Sequence, residues 1–480
     1  MSCWPDVFLL SLPADLFGMV VCQWLGLKEL VALDSAYCKD SLRNKWRKSL
    51  SNNASCTILV EPENIVEYRT YKAVNDFLRW IGERKLRVRK FVIADETNVL
   101  LSAMYLDTYG PFVEQLRVFI LDNFSKCDIA NTCTLVSHCL NLHTLIVEDC
   151  RVPKELIELL PTLPQLKELH LHCAEDADNH DHELCLDRMV QQNVLPLTCV
   201  TLCCHVHIVL KILKLCSLPL IDKLSVRYKD AYSRYDKEAD TVKQKIMQCL
   251  NLHTLALRFH ILDEDMHNIL LHCPNLEGIS LTYCYGVTDA SAILVSKMPR
   301  LHTLSIDNTG FFDGLMEALA EHTKHTLHTL CVNSEYITHE GLNSMLHVQG
   351  CTQLRTLRLF VTDDVPIDTQ FMQNLTTLSV NARFTLIENV KNIAKHCHAL
   401  QHLLIAVDNI GPNERCFSLW QEQQIPRLRT LSLFGSRYYS SDVILSELNL
   451  LQQLRPKLLI LWTEDDMQYA LEKKFAYRSV

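Results

Sequence analysis

Several side chains along this chain could do chemistry, and their spacing decides whether they do. His170-x-His172-Cys173 followed by His180, His182 and Cys185 brings together imidazole and thiol donors of the kind zinc takes. The intervals match no standard zinc finger, and the last three sit in or just after the acidic insertion Glu175-Asp-Ala-Asp-Asn-His-Asp, so the group reads as a polar loop with no metal. No cofactor is expected. A second grouping, His396, Cys397, His398 and His402, belongs to a phrase recurring elsewhere as His138-Cys-Leu-Asn-Leu142 and His272-Cys-Pro-Asn-Leu276. Its cysteines read as core packing, because a free Cys behaves as a small buried hydrophobe. The chain contains no G-x-x-x-x-G-K-[ST], no H-E-x-x-H and no G-x-S-x-G, and its 12 glycines leave little material for phosphate-cradling loops. The expectation is a protein without catalytic chemistry.

Arginine and aromatic residues recur at fixed places and point instead to binding. Arg227, Arg258 and Arg358, with Tyr228, Phe259, Tyr283, Phe360 and Phe434, are the residue types that dominate binding hot spots. Each lies near the end of one phrase: Leu142-His-Thr-Leu145-Ile-Val147, Leu252-His-Thr-Leu255-Ala-Leu257, Leu301-His-Thr-Leu304-Ser-Ile306. Apolar-x-x-apolar-x-apolar returns about fourteen times, at intervals of roughly 21 to 31 residues, which is the period of leucine-rich repeats. Starts fall at Val88, Val113, Leu142, Leu166, Leu197, Ile221, Leu252, Leu276, Leu301, Leu327, Leu354, Leu375, Leu400 and Leu428.

That period predicts an α/β leucine-rich-repeat solenoid, a horseshoe with parallel strands on its concave face and helices on its convex face. Within each phrase, positions four and six point into the core, and positions three, five and seven face outward. Segments such as 287–298 supply the helices, with Thr288 or Asp289 as cap. Thr residues at position three suit half-exposed strands and carry no function. Arg227 and Arg258 at position seven, with Tyr228, Phe259 and Tyr283 at position eight, are expected to line the edge of the concave wall, with Arg358, Phe360 and Phe434 extending it. Packing beneath the loops is the alternative for the position-eight rings. Upstream, Glu148, Asp149 and Glu168 make an acidic stretch.

Composition restricts the partners. A net charge of -9 argues against a nucleic-acid groove. No apolar run is long enough for a membrane span, so no membrane partner is expected. The start Met1-Ser-Cys-Trp-Pro lacks the plan of a signal peptide, and the 21 cysteines are spread along the chain. The expectation is a reduced, cytoplasmic protein, with the nucleus as the other compartment open to it.

Two resemblances complete the reading. Leu276-Glu-Gly-Ile279-Ser-Leu281-Thr-Tyr-Cys284-Tyr-Gly-Val287-Thr288-Asp289 resembles the cysteine-containing class of leucine-rich repeat, typical of F-box proteins, with Cys284 at the turn position. Near the amino terminus, Leu12-Pro13-Ala-Asp-Leu16, Val20, Trp24-Leu25 and Leu30 resemble an F-box, the short helical module that docks on the Skp adaptor of cullin-RING ubiquitin ligases. The resemblance implies that Leu12, Pro13, Leu16 and Val20 face the adaptor. It implies a substrate-recognition subunit of an SCF-type ligase acting in ubiquitin-dependent protein catabolism, whose repeats hold a protein target. On spacing alone, the same helices serve equally as the cap of the solenoid, and the chain as an interaction scaffold or enzyme regulator. The expected organisation is an F-box-like segment at 1–50, a transition at 51–87, and repeats with a carboxy-terminal cap at 88–480.

Overall fold

The computed structural model describes residues 90–93, 106–107, 110–119, 133–150, 154–173, 194–228, 237–323, 325–334, 336–347, 353–361, 372–382, 387–406, 425–434 and 441–463. The F-box-like residues Leu12, Pro13, Leu16 and Val20, the boundaries at 50 and 87, and the cap beyond Thr463 lie outside them. So do His180, His182 and Cys185. The chain divides into two compact units, Met1–Leu220 and Ile221–Val480.

Among the described residues, the first unit contains β1 (Lys90–Ile93), β2 (Gln115–Phe119), β3 (Thr144–Cys150), β4 (Glu168–Cys173) and β5 (Cys199–Cys203), with helices α1 (Lys154–Leu159) and α2 (Val206–Leu215). Each of these strands pairs in parallel with the next. The second unit contains β6 (Lys223–Arg227), β7 (Thr254–Arg258), β8 (Gly278–Thr282), β9 (Thr303–Asp307), β10 (Thr329–Asn333), β11 (Thr356–Val361), β12 (Thr377–Ala382), β13 (His402–Ala406), β14 (Thr430–Phe434) and β15 (Leu459–Thr463). Its helices are α3 (Lys237–Ile246), α4 (Asp263–His272), α5 (Asp289–Ser296), α6 (Asp313–His322), α7 (His339–His347), α8 (Ile387–His396) and α9 (Ser441–Leu454). Consecutive strands of this unit are also parallel neighbours.

Strands begin at position three of the sequence phrase, and the register keeps equivalent positions level. Leu255 pairs with Ile279, Ile279 with Leu304, and Leu304 with Leu330. Positions four and six are buried, as in Leu255, Leu257, Leu304 and Ile306, and so is the leucine at position one. Burial of each such side chain contributes about 1.5–3 kcal/mol. Met266 and Ile269 of α4, Val295 of α5, and Leu315 and Leu319 of α6 complete the core. One strand and, typically, one helix per repeat, stacked in parallel with this register, define the leucine-rich-repeat α/β coil that the period predicted.

Successive repeats are tied at the start of the strand and, from α4 to α7, at the helix starts as well. At the start, the amides of His253 and Thr254 both donate to the carbonyl of Asp222, and those of Glu277 and Gly278 to that of His253. Further round the repeat, the first residue of a helix clasps the cap of the following helix. Asp263 accepts from Thr288 N (2.9 Å), Thr288 Oγ1 (2.7 Å) and Ser291 Oγ (2.5 Å). Asp289 accepts from Phe312 N (2.9 Å) and Gly314 N (3.2 Å), and Asp313 from Thr338 N (2.8 Å) and Thr338 Oγ1 (2.6 Å). Gly314 leaves room for this contact: a Cβ at that position would lie 2.6 Å from Asp289 Oδ2 and displace the carboxylate. Of the two cap candidates, Thr288 caps α5, its Oγ1 accepting from Ala290 N, while Asp289 is the first helical residue.

The recurring His-Cys phrase ends helices in the predicted manner. Cys139, Cys273 and Cys397 are fully buried, and their carbonyls accept the amides of the position-one leucines Leu142, Leu276 and Leu400. Burial pushes the thiols of Cys139 and Cys397 up to about 12 and that of Cys273 up to about 11. These are packing groups, far from the thiolate form that reacts.

Candidate binding face

In the second unit the alternation of the strands turns positions three, five and seven away from the helices. Position five carries mostly short side chains: Ser225, Ala256, Ser280, Ser305 and Cys331 stand level across β6 to β10. A row of short side chains leaves the sheet surface open to larger groups from outside. Arg358 continues the row beside Cys331. The Cys331 thiol is raised by burial, an effect that Arg358 and the Ser305 hydroxyl oppose.

Position seven supplies charge. Arg227 and Arg258 are partners in the ladder between β6 and β7. The Arg258 guanidinium lies 4.6 Å from the centroid of the Tyr283 ring, a cation–π contact that limits the freedom of a long side chain. Tyr283 reaches that place because its backbone is left-handed, with φ of 54°, and its amide donates to Asp307 O at 2.7 Å. Asn308 repeats the device one strand on, with φ of 50° and its amide donating to Asn333 O. The Asp307 carboxylate accepts from the side-chain amides of Asn308 (2.9 Å) and Asn333 (2.7 Å), closing the edge with polar contacts.

Not every expected residue joins this edge. Position eight leaves Tyr228 and Phe259 either on the outward ladder or packed beneath the loops, and the structure takes the second course: both are buried, Phe259 at 0% exposure. Their rings stack on each other with centroids 4.3 Å apart. Their removal from the edge goes with the backbone: neither Tyr228 nor Phe259 has the positive φ that turns Tyr283 outward, and without it the side chain after position seven falls on the core side, as strand alternation directs. Phe360 stands level with Asn333 and is half-buried. Phe434 pairs through its backbone with Ala406 and Thr463, and its side chain lies outside the described residues.

The first unit differs in chemistry. Glu148, expected in an acidic surface stretch, is 2% exposed and ion-paired with Arg117, whose Nη2 and Nε lie 2.6 and 2.8 Å from Glu148 Oε2. Glu168 accepts from Thr144 Oγ1, and the side chain of Asp149 lies outside the described residues. His170 Nδ1 lies 3.0 Å from Thr201 Oγ1, and burial lowers its imidazole below the ordinary value against the pull of Glu168. Among the described residues, no three His, Cys, Asp or Glu side chains are grouped so as to hold a metal ion. Among them also, no helix is long and apolar enough to cross a membrane.

Four exposed apolar side chains form a further feature that no sequence period marks. Leu262, Tyr285, Phe312 and Tyr336 occupy the loops that leave β7, β8, β9 and β10, and each is 44% to 49% exposed. Phe312 and Tyr336 are in ring contact, centroids 5.2 Å apart, as are Tyr283 and Tyr285 at 6.2 Å. Their signal was faint, because they follow no common position in the phrase; what aligns them is the stacking of the loops, through the bridges Leu262 to Gly286 and Thr288 to Gly310.

No protein-family model matches this chain, and no curated protein sequence matches it. Solved structures similar to it include the Rad7 and Elc1 complex in yeast, with a TM-score of 0.39 and 11% identity over 91% of this chain and 98% of that one. Another is an internalin from Listeria monocytogenes, with a TM-score of 0.34 and 13% identity over 82% of this chain and 95% of that one.

Proposed function

We propose that this chain is a substrate-recognition subunit of an SCF-type ubiquitin ligase, holding a protein target on the strand face of its repeats. The observation that carries the target-binding part is the open row of short side chains in β6 to β10, bordered by Arg258 on Tyr283. The adaptor-binding part rests on the sequence resemblance of Leu12, Pro13, Leu16 and Val20 to an F-box, and the subclass on the Cys284 repeat. Cys284 is buried, its Sγ donating to Leu257 O at 3.5 Å, as suits a turn that ties one repeat to the preceding one. No chemistry is assigned to this chain. Transfer of ubiquitin belongs to the cullin-RING partner and its conjugating enzyme, and this protein raises the effective concentration of target lysines beside them.

The test is co-purification of the full chain with a Skp adaptor, compared with a Leu12→Asp, Pro13→Ala double variant. Capture of the adaptor by the first and not by the second supports the reading. Absence of capture, or equal capture by both, overturns the ligase role. A chain that binds its target without any adaptor is an interaction scaffold, the second reading, for which the face in β6 to β10 speaks equally.

A further inference from the structure

We propose that the edge of the second unit where β7 to β10 end is a docking surface for a peptide segment that carries a carboxylate next to bulky apolar side chains. The inference rests on the reading of this face as a partner-binding surface, and it adds which chemistry the partner presents.

Two observations on one edge lead to it. The first is a pair of like charges: Arg227 and Arg258 are level on adjacent strands, whose backbones lie about 4.8 Å apart. Like charges so placed repel and disfavour the sheet. None of the ion pairs among the described residues involves either guanidinium. Arg258 is also held in place by the Tyr283 ring, so less freedom is lost when it binds an anion. A carboxylate is the group that relieves such a pair, because a guanidinium offers it two parallel N–H donors.

The second observation is the apolar strip beside that pair. Leu262, Tyr285, Phe312 and Tyr336 advance loop by loop in the direction from β7 to β10, all close to half exposed. Phe312 and Tyr336 touch, and exposed apolar side chains grouped on a polar edge mark an interaction site. Short position-five side chains in the same strands leave depth for large groups of the partner. Charge at one end and rings along the rest are complementary to an acidic, apolar segment, and mismatched to a basic one.

The test is a selection of phage-displayed random peptides on the immobilised full chain, followed by fluorescence anisotropy with the enriched peptides as probes. Enriched sequences are expected to place Asp or Glu within a few residues of Phe, Leu or Trp. Arg258→Glu should weaken their binding at least tenfold, and Phe312→Ser with Tyr336→Ser, both at exposed positions, should do the same. Unchanged thermal unfolding midpoints show that the variants are folded. No enrichment, enrichment of basic or charge-free peptides, or binding that survives both sets of substitutions would overturn the proposal. The adaptor experiment reads the amino-terminal segment and this selection does not, so either can fail without the other.

Discussion

Replacing Asp263 by alanine should open the junction between two successive repeats of the second unit. The carboxylate accepts three hydrogen bonds, from Thr288 N, Thr288 Oγ1 and Ser291 Oγ, and Ser291 is 1% exposed. Hydrogen bonds to a charged group contribute about 1.5–3 kcal/mol each when buried. Here one half-exposed carboxylate serves all three, and solvent screening lowers the sum to about 2 kcal/mol. Because the effect is local, it is best read by hydrogen exchange over residues 288–296, where about 2 kcal/mol corresponds to roughly thirty-fold faster exchange.

The pH dependence follows from the same contacts. Burial opposes ionisation of Asp263, but the hydrogen bonds from Ser291 and Thr288 outweigh it and hold the carboxyl below its usual value. A group whose pKa is depressed by folding stabilises above its unfolded value, about 4, and loses that contribution as pH falls through the folded value. The ratio of exchange rates between variant and parent should therefore stay constant from pH 7 to about 5 and shrink below about 4. A ratio under about threefold at pH 7, or one unchanged by acid, would refute the reasoning.

Phe259→Ala should destabilise the second unit by about 3–5 kcal/mol in urea denaturation, since the ring is fully buried against Tyr228; a loss under 1 kcal/mol would mean the ring is not a core element. Arg117→Ala should cost about 2 kcal/mol by the same assay, because it leaves Glu148 buried without its cation, reduced from the fully buried case by the 37% exposure of the arginine side chain. Cys139, Cys273, Cys284 and Cys397 should resist iodoacetamide in the native chain at pH 8 and react fully in denaturant, as thiols pushed up to about 11 or 12 are protonated there; mass spectrometry of the alkylated peptides checks this.

The contrast between Tyr283 and Phe259 shows how far the sequence could be read. Both follow position seven of the same phrase, and both are aromatic. One stands beneath a guanidinium at the sheet edge and the other is in the core, and the difference is the sign of a single backbone angle. The Tyr283 amide donates to Asp307 O in the next repeat, but the Tyr228 amide donates likewise to Arg258 O without the left-handed turn, so neither the phrase nor that hydrogen bond encodes the angle. The aspartate clasp was half legible: Asp263, Asp289 and Asp313 recur at the repeat spacing, and each stands at a helix start, where an acidic residue is expected for its own helix. That each also serves the following helix becomes visible only when the repeats are stacked.

What the sequence determined alone is the strand register and the core. A period of two within the phrase and a period near 25 between phrases leave one way to bury every Leu at positions one, four and six, and β2 to β14 begin where the phrase puts them. What tertiary structure decided is the composition of the outward edge. Arg227 beside Arg258, Tyr283 beneath Arg258, and four apolar side chains from four loops are neighbours one repeat, about 23 to 31 residues, apart along the chain. Each is exposed or half-exposed, so no burial pattern constrains it, and only the stacking of one repeat on the next makes them a surface.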